Sequence, residues 1–281
     1  MAIVFATLSA LLFGTADFAG GLASRKNSVS AVLINSQIVG LVVVLLFSLL
    51  DRSVGTPALR DLVWGGLAGL CGMVGLAALY RGLARGLVAI VSPLAALLGA
   101  MVPVLFGLLG GEAIQTSAGI GIAVSFPAIV CISWHSEKTH GKRDPRRMRR
   151  SWLAGLTAGG MFGLFFILIS LSAADAGMWP LAAARVSSVT AMALVAWVSR
   201  RPVAVRTAHG AVAAAGTLDM AANIAFVLAL RHGVLAIVSV VIALAPTQTV
   251  LLSRIVFGER VGAVRIVGIV LAIVGVALLS I

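Results

Sequence analysis

The chain has 281 residues, of which 60% are hydrophobic and 11% are charged, and its formal net charge is +12. A soluble domain carries about 25% charged residues, so this composition excludes an ordinary soluble globular protein. Apolar runs of roughly 20 residues, long enough to cross a bilayer, recur along the sequence, without the short-segment alternation typical of transmembrane β-strands. We therefore expect an all-α polytopic membrane protein that lies in a lipid bilayer.

Ten apolar spans follow one another along the chain. We predict them at residues 2–22, 29–50, 61–81, 86–109, 115–134, 152–173, 179–199, 208–230, 233–257 and 261–281. The longest polar segment, residues 135–150, lies between the fifth and the sixth. The sequence thus predicts a first five-helix repeat over 1–134, a basic connecting loop over 135–151 and a second five-helix repeat over 152–281.

An internal repeat supports this division. Residues 86–112 and 233–259 align without a gap at an offset of 147 residues, and both segments begin with glycine and end with Gly-Glu. Residues 89–92 and 236–239 both read AIVS. Because each unit has an odd number of spans, the second unit lies inverted relative to the first, as in many secondary transporters. We expect ten transmembrane helices arranged as two inverted five-helix repeats.

These features resemble the EamA-type members of the drug/metabolite transporter superfamily. The resemblance depends on the span count, the repeat, the two Gly-Glu ends and the glycine-rich last helix of each unit, GIGIAVSFPAIVCIS from Gly119 and IVGIVLAIVGVALLS from Ile266. It implies a transporter of small solutes, and it does not identify the solute.

The positive charge is distributed in short connections between spans, which is typical of topology-setting residues and not of a nucleic-acid surface. Most Lys and Arg residues lie in the odd-numbered connections, above all in the central loop. The charge bias therefore places both termini outside, whereas members of the family usually have them inside. Cys71 and Cys131 lie within apolar spans and belong to no metal-binding pattern, so we expect no metal site and no cofactor.

Ionisable side chains inside a span indicate function by default, because they are costly in hydrocarbon. Asp17 in the first span and Asp219 in the eighth are candidates for binding a proton or the substrate. The alternative for Asp17 is pairing with Arg25 or Lys26 at the interface. Asn223 follows Asp219 by four residues and shares its helix face, and the alternative for this pair is a structural hydrogen-bonded network.

Arg185 lies about two turns into the seventh span, where it must either reach the interface or find a carboxylate. Asp219 and Asp17 are the expected partners, and a substrate carboxylate is a further one. The corresponding part of the first repeat contains Gln37. We therefore expect polar groups at equivalent depth in both halves.

The two repeated helices differ mainly in their middle parts. Pro93 and Pro103 in the first copy and Pro246 in the second predict kinks. Gln248, two residues after Pro246, is a candidate for binding the substrate or a proton. Tyr80 is a further candidate substrate contact, with the interfacial belt as its alternative. For Glu112 and Glu259, at equivalent helix ends, we expect a structural role in binding backbone amides or an arginine.

We expect a secondary active transporter that exports a small metabolite, amino acid or drug-like solute across the cytoplasmic (inner) membrane by alternating access, with a proton as coupling ion. The alternative is an uncoupled channel or facilitator. The sequence contains no GxSxG, Walker A or HExxH motif, so no enzyme activity is expected. Both a monomer and a homodimer are compatible with the sequence.

Overall fold

A computed structural model describes residues 1–50, 57–85, 88–133, 145–200, 203–258 and 262–281. These residues form helices and connections without strands, and the predicted all-α polytopic fold is confirmed. The helices are α1 (Ala2–Ser24), α2 (Val29–Leu50), α3 (Leu59–Arg85), α4 (Val88–Leu109), α5 (Thr116–Ser133), α6 (Pro145–Ser170), α7 (Trp179–Val198), α8 (His209–Leu230), α9 (Leu235–Ile242), α10 (Pro246–Phe257) and α11 (Ala263–Leu279), with a short 3-10 helix at Ala174–Ala176.

Nine spans in the described part of the chain are long and apolar enough to cross a membrane, and the last helix, α11, is a shorter apolar one. Large apolar side chains such as Leu46, Trp197 and Ile273 are exposed on the outside of the bundle, whereas Ser9, Ser125 and Ser239 are fully buried. Apolar side chains on the outside and small polar ones between helices are the distribution that a lipid environment favours.

The sixth span begins earlier than predicted. Residues 145–150, expected as the end of the basic loop, form the first turns of α6. Pro145 occupies the first helical position, where its fixed φ favours the start of a helix, and the arginines and Met148 that follow are good helix formers. The rest of the predicted central loop, residues 134–144, lies outside the described residues.

The packing partners are those that a two-fold relation between the halves requires. The helix α1 packs against α8, and α3 packs against α6. In the two-fold relation, α1 corresponds to α6 and α3 corresponds to α8. The pair α1 with α8 is therefore equivalent to the pair α6 with α3. The pairs α2 with α7, α4 with α9 and α5 with α11 are also in contact, and each of them is its own counterpart. The limits of the two repeats stay a prediction.

The ninth span is interrupted where the fourth is continuous. Residues 243–245 separate α9 from α10, and Pro246 is the first residue of α10. Pro246 has no N–H to donate to Ile242 O, and the Ala245 N–H bonds to that carbonyl instead, at 2.9 Å. In α4, by contrast, the helix continues through Pro93 and Pro103. The two copies of the repeated helix thus have different backbones at membrane depth.

The interruption lies against α1 at Gly14. A Cβ atom at Gly14 would overlap Ala245 O and would approach Gln248 Cβ to 2.6 Å. Thr249 Oγ1 also donates a hydrogen bond of 2.9 Å to Gly14 O. Only glycine permits this close approach, because any larger residue would separate α1 from α10.

We therefore expect Gly14→Ala to lower the thermal unfolding temperature of the purified protein in detergent, since overpacking typically costs about 1–3 kcal/mol. Gly21→Ala on the same helix is the matched control, because no atom lies within 4 Å of a Cβ atom there. Equal unfolding temperatures for the two variants would contradict the close contact.

Candidate functional site

The centre of the bundle contains an ion pair between α7 and α8. Arg185 Nη2 donates to Asp219 Oδ2, and Arg185 Nη1 donates to Gln37 Oε1 on α2. Ser188, one turn along α7, lies with its Oγ 3.4 Å from the same Gln37 oxygen. The structure thus brings together three predicted site residues, Arg185, Asp219 and Gln37, from both halves of the chain.

The ion pair is partly screened from solvent. The Arg185 side chain is 11% exposed and the Asp219 side chain is 35% exposed. In hydrocarbon an unpaired arginine is costly, so the pairing satisfies the charge of Arg185 and orients its planar guanidinium between two helices. Among the described residues, Arg185 pairs with Asp219 and not with Asp17 on α1.

Asn223 extends this polar face of α8. Its Nδ2 donates to the Asp219 backbone carbonyl at 2.8 Å, which fixes the side chain along the helix. The residue is only 2% exposed, and its Oδ1 has no hydrogen-bond partner in the described part of the chain. A buried amide oxygen without a donor is uncommon in folded proteins.

Asp17 lies on the interior face of α1. It follows Ala6 and Ala10 by eleven and seven residues, which places all three on one side of the helix, and both alanines are buried. The Asp17 side chain is nevertheless exposed, although many protein atoms surround it. This combination is expected of a group that lines an open space inside the bundle.

The contacts between α1 and α8 set the level of Asp17. Ser9 Oγ donates to Ala222 O at 2.8 Å, and a Cβ atom at Gly20 would lie 3.8 Å from Ala215 Cβ. Asp17 therefore lies level with the part of α8 that contains Asp219, and the two carboxylates are close enough to repel each other. Asp17 forms no hydrogen bond or ion pair with any described residue, including the expected Arg25.

One end of the bundle is closed by aromatic and polar contacts between the halves. Arg25 lies over the ring of Phe257 at 4.2 Å from its centroid, and the rings of Phe18 and Phe257 are 5.6 Å apart. Asn27 Nδ2 donates to Thr207 O at 2.8 Å. These contacts join α1 to the end of α10, and the connection between α1 and α2 to the loop before α8.

Towards the opposite end, the described residues line a cavity of about 180 Å³. Leu181, one turn before Arg185, and Val227, one turn after Asn223, belong to its wall, and Arg231 lies at its edge. The cavity does not contain the ion pair, and it begins one helical turn away from it.

The carboxylate of Glu112 connects the fourth and the ninth spans. Its backbone is fixed by the end of α4, where Gly111 has φ of +83° and the N–H of Glu112 bonds to Gly107 O at 2.9 Å, a Schellman arrangement. Its side chain accepts hydrogen bonds of 3.0 Å from the N–H groups of Leu235 and Ala236. A carboxylate at this place satisfies two free amides at the start of α9 and complements the helix dipole.

We expect Glu112→Ala to lower the unfolding temperature in detergent, because two charge-assisted hydrogen bonds at a helix start are lost. The cost is roughly 1–3 kcal/mol. Asp175→Ala is the control, because Asp175 lies exposed in the short 3-10 helix. A Glu112→Ala protein as stable as this control would refute the capping role.

The ion pair is also open to a direct test. Arg185→Gln and Asp219→Asn each leave one charge without its partner, and each should destabilise the protein by roughly 1.5–3 kcal/mol. The double variant should lose less than the sum of the two, because neither charge is then left unpaired. Thermal unfolding of the four proteins measures this difference, and strict additivity would show that the two side chains do not interact.

Several candidates remain apart from this cluster or outside the description. Gln248 lies against Gly14 of α1, and it is not among the described hydrogen-bond partners of Arg185 and Asp219. The side chain of Tyr80 and the whole of Glu259 lie outside the described residues. No group of His, Cys, Asp and Glu side chains in the described part of the chain is arranged to hold a metal ion.

Sequence reasoning did not single out two buried polar contacts. Asp61 is 2% exposed, and its Oδ1 accepts a hydrogen bond of 2.9 Å from Ala173 N–H, which fastens α3 to the connection before α7. Ser188 joins the ion-pair cluster through Gln37. The spacing of Ser188, three residues after Arg185, is the signal that predicts a shared helix face.

Comparison with known proteins agrees with the resemblance found in the sequence. Residues 150–281 match the model of the EamA-like transporter family. A solved structure, described only as the crystal structure of a protein, superposes with a TM-score of 0.77 at 17% identity, covering 99% of this chain and 95% of the other. This similarity shows a shared fold over nearly the whole chain. No sequence of a curated protein matches.

Proposed function

We propose, because residues 150–281 match the model of the EamA-like transporter family, that the protein is a secondary active transporter of the cytoplasmic (inner) membrane. It exports a small metabolite, amino acid or drug-like solute by alternating access between two inverted five-helix units. The observation that carries this proposal is the polar cluster of Arg185, Asp219 and Gln37, which joins helices of both units inside the bilayer.

The difference between the two ends of the bundle supports alternating access. The contacts of Phe257 with Arg25 and Phe18 connect the two units at one end, and the cavity near Arg231 lies towards the other. A solute bound at the centre would reach the first side only after these contacts separate. The charge distribution assigns the closed end to the cytoplasm.

Asp17 and Asp219 are the groups through which a proton gradient would be coupled to transport. Both lie at the same level of the bundle, and Asp17 has no partner among the described residues. Without an ATP-binding motif in the sequence, uphill transport draws on a gradient, and a carboxylate that faces the interior is suited to take up and release a proton.

The test is solute flux in proteoliposomes with an imposed pH gradient, using solutes chosen by a ligand-dependent rise in unfolding temperature. We expect saturable flux that depends on the gradient in the wild-type protein and in Asp175→Asn. We expect gradient-dependent flux to be lost when Asp17 and Asp219 are both changed to Asn. Equal gradient-driven flux in that double variant removes the coupling, and flux that neither saturates nor depends on the gradient favours the channel or facilitator.

A further inference from the structure

We propose that Asp17 binds a protonated amino group of the transported solute, so that the solute is an organic cation or a zwitterion. This inference rests on the proposed transport function and adds the chemical class of the solute. It follows from the balance of charges and hydrogen-bond acceptors around the central ion pair.

The balance of charge comes first. Arg185 and Asp219 neutralise each other, whereas the Asp17 carboxylate forms no ion pair with any described residue. The three groups together therefore carry one uncompensated negative charge when Asp17 is ionised. A carboxylate at membrane depth requires a cation, and the exposure of Asp17 towards the interior leaves space for one.

One hydrogen-bonding group beside the cluster also lacks a donor. Asn223 Oδ1 is buried and receives no hydrogen bond from the described residues. Asn223 lies on the same face of α8 as Asp219 and one turn from it. An alkylammonium group offers up to three N–H donors, which matches a site rich in acceptors better than a carboxylate does.

The interruption of the ninth span adds partial negative charge near this place. The last carbonyls of a helix carry the negative end of its dipole, and α9 ends at Ile242, just before Ala245 packs against Gly14. Gly14 precedes Asp17 by three residues and thus lies one turn away. The C-terminal end of α9 is consequently close to the carboxylate that lacks a partner.

The guanidinium of Arg185 is in turn unsuited to bind the solute in this arrangement. Each of its two terminal nitrogens already donates one N–H, to Gln37 or to Asp219, and Asp219 already balances its charge, so a solute carboxylate would gain less from the remaining N–H groups. We expect the amino group of a zwitterion to contribute most of the affinity and its carboxylate to contribute little.

The experiment uses four matched probes: phenylalanine, phenethylamine, 3-phenylpropionate and 2-phenylethanol. They combine the presence and absence of an amino group with the presence and absence of a carboxylate on one skeleton. Matched sets with leucine-like and polar skeletons extend the series. Binding is measured by the shift of the unfolding temperature and by calorimetry on the full-length protein in detergent.

We expect the amine-bearing members to bind in the wild-type protein and in Asp175→Asn. In Asp17→Asn their affinity should fall roughly tenfold to a hundredfold, as for the loss of a charge-assisted contact. Asp17→Asn removes no hydrogen bond or ion pair with a described residue, and it relieves the repulsion between Asp17 and Asp219, so its unfolding temperature without ligand should not fall. Asp17→Glu should restore part of the binding.

Three results would overturn the inference: binding of the members that lack an amine, unchanged amine binding in Asp17→Asn, or no binding of any amine in the series. A fourth result separates the inference from the transport proposal. Amine binding that depends on Asp17, without flux in proteoliposomes, would leave the binding site in place and remove the transport function. Equal transport of amine-free solutes by the wild-type protein and by Asp17→Asn would leave the transport function in place and remove the amine-binding site.

Discussion

An arginine inside a bilayer must be neutralised by a partner, and the pairing of Arg185 with Asp219 is the constraint on which the centre of this structure depends. The pairing connects α7 to α8, and the bond from Arg185 to Gln37 connects α7 to α2. Because Asp219 and Gln37 satisfy Arg185, this arginine does not pair with Asp17 on α1, and no other cation among the described residues does.

A second constraint acts at the helix ends. The glycines of the two repeated Gly-Glu pairs, Gly111 and Gly258, both have positive φ, which glycine adopts without the strain that other residues incur. At the first pair, this turn directs the carboxylate of Glu112 onto the free amides of α9. The repeated glycine thus reflects the need for a positive φ at the helix end. The acidic residue after the first of these glycines, Glu112, connects the two halves of the molecule.

The fold was largely predictable from the sequence, because apolar length and an internal repeat determine how many helices cross the membrane and how they are related. The approximate limits of the spans follow from hydropathy alone, except that α6 begins seven residues earlier than predicted. The contact of Arg185 with Gln37 was anticipated in part, since the repeat places the two at equivalent depth.

Other features of the site depend on the register between helices, which no local pattern contains. The absence of a partner for Asp17 among the described residues reflects the rotation of α1 against α8. The choice of α9 as the helix that Glu112 caps depends on how the fourth and ninth spans meet. Pro246 predicted a kink, but the length of the interrupted segment depends on the close approach of Ala245 to Gly14.

The interruption of the ninth span has a consequence for the energetics of the protein. At the repeat offset, the position of Pro246 corresponds to Gly99 in the continuous helix α4. Proline lacks the N–H that a continuous helix needs, so the break belongs permanently to the second half and cannot pass to the first. If the molecule alternates access as proposed, its inward-facing and outward-facing forms therefore differ in energy because of this covalent asymmetry, before any solute or proton binds.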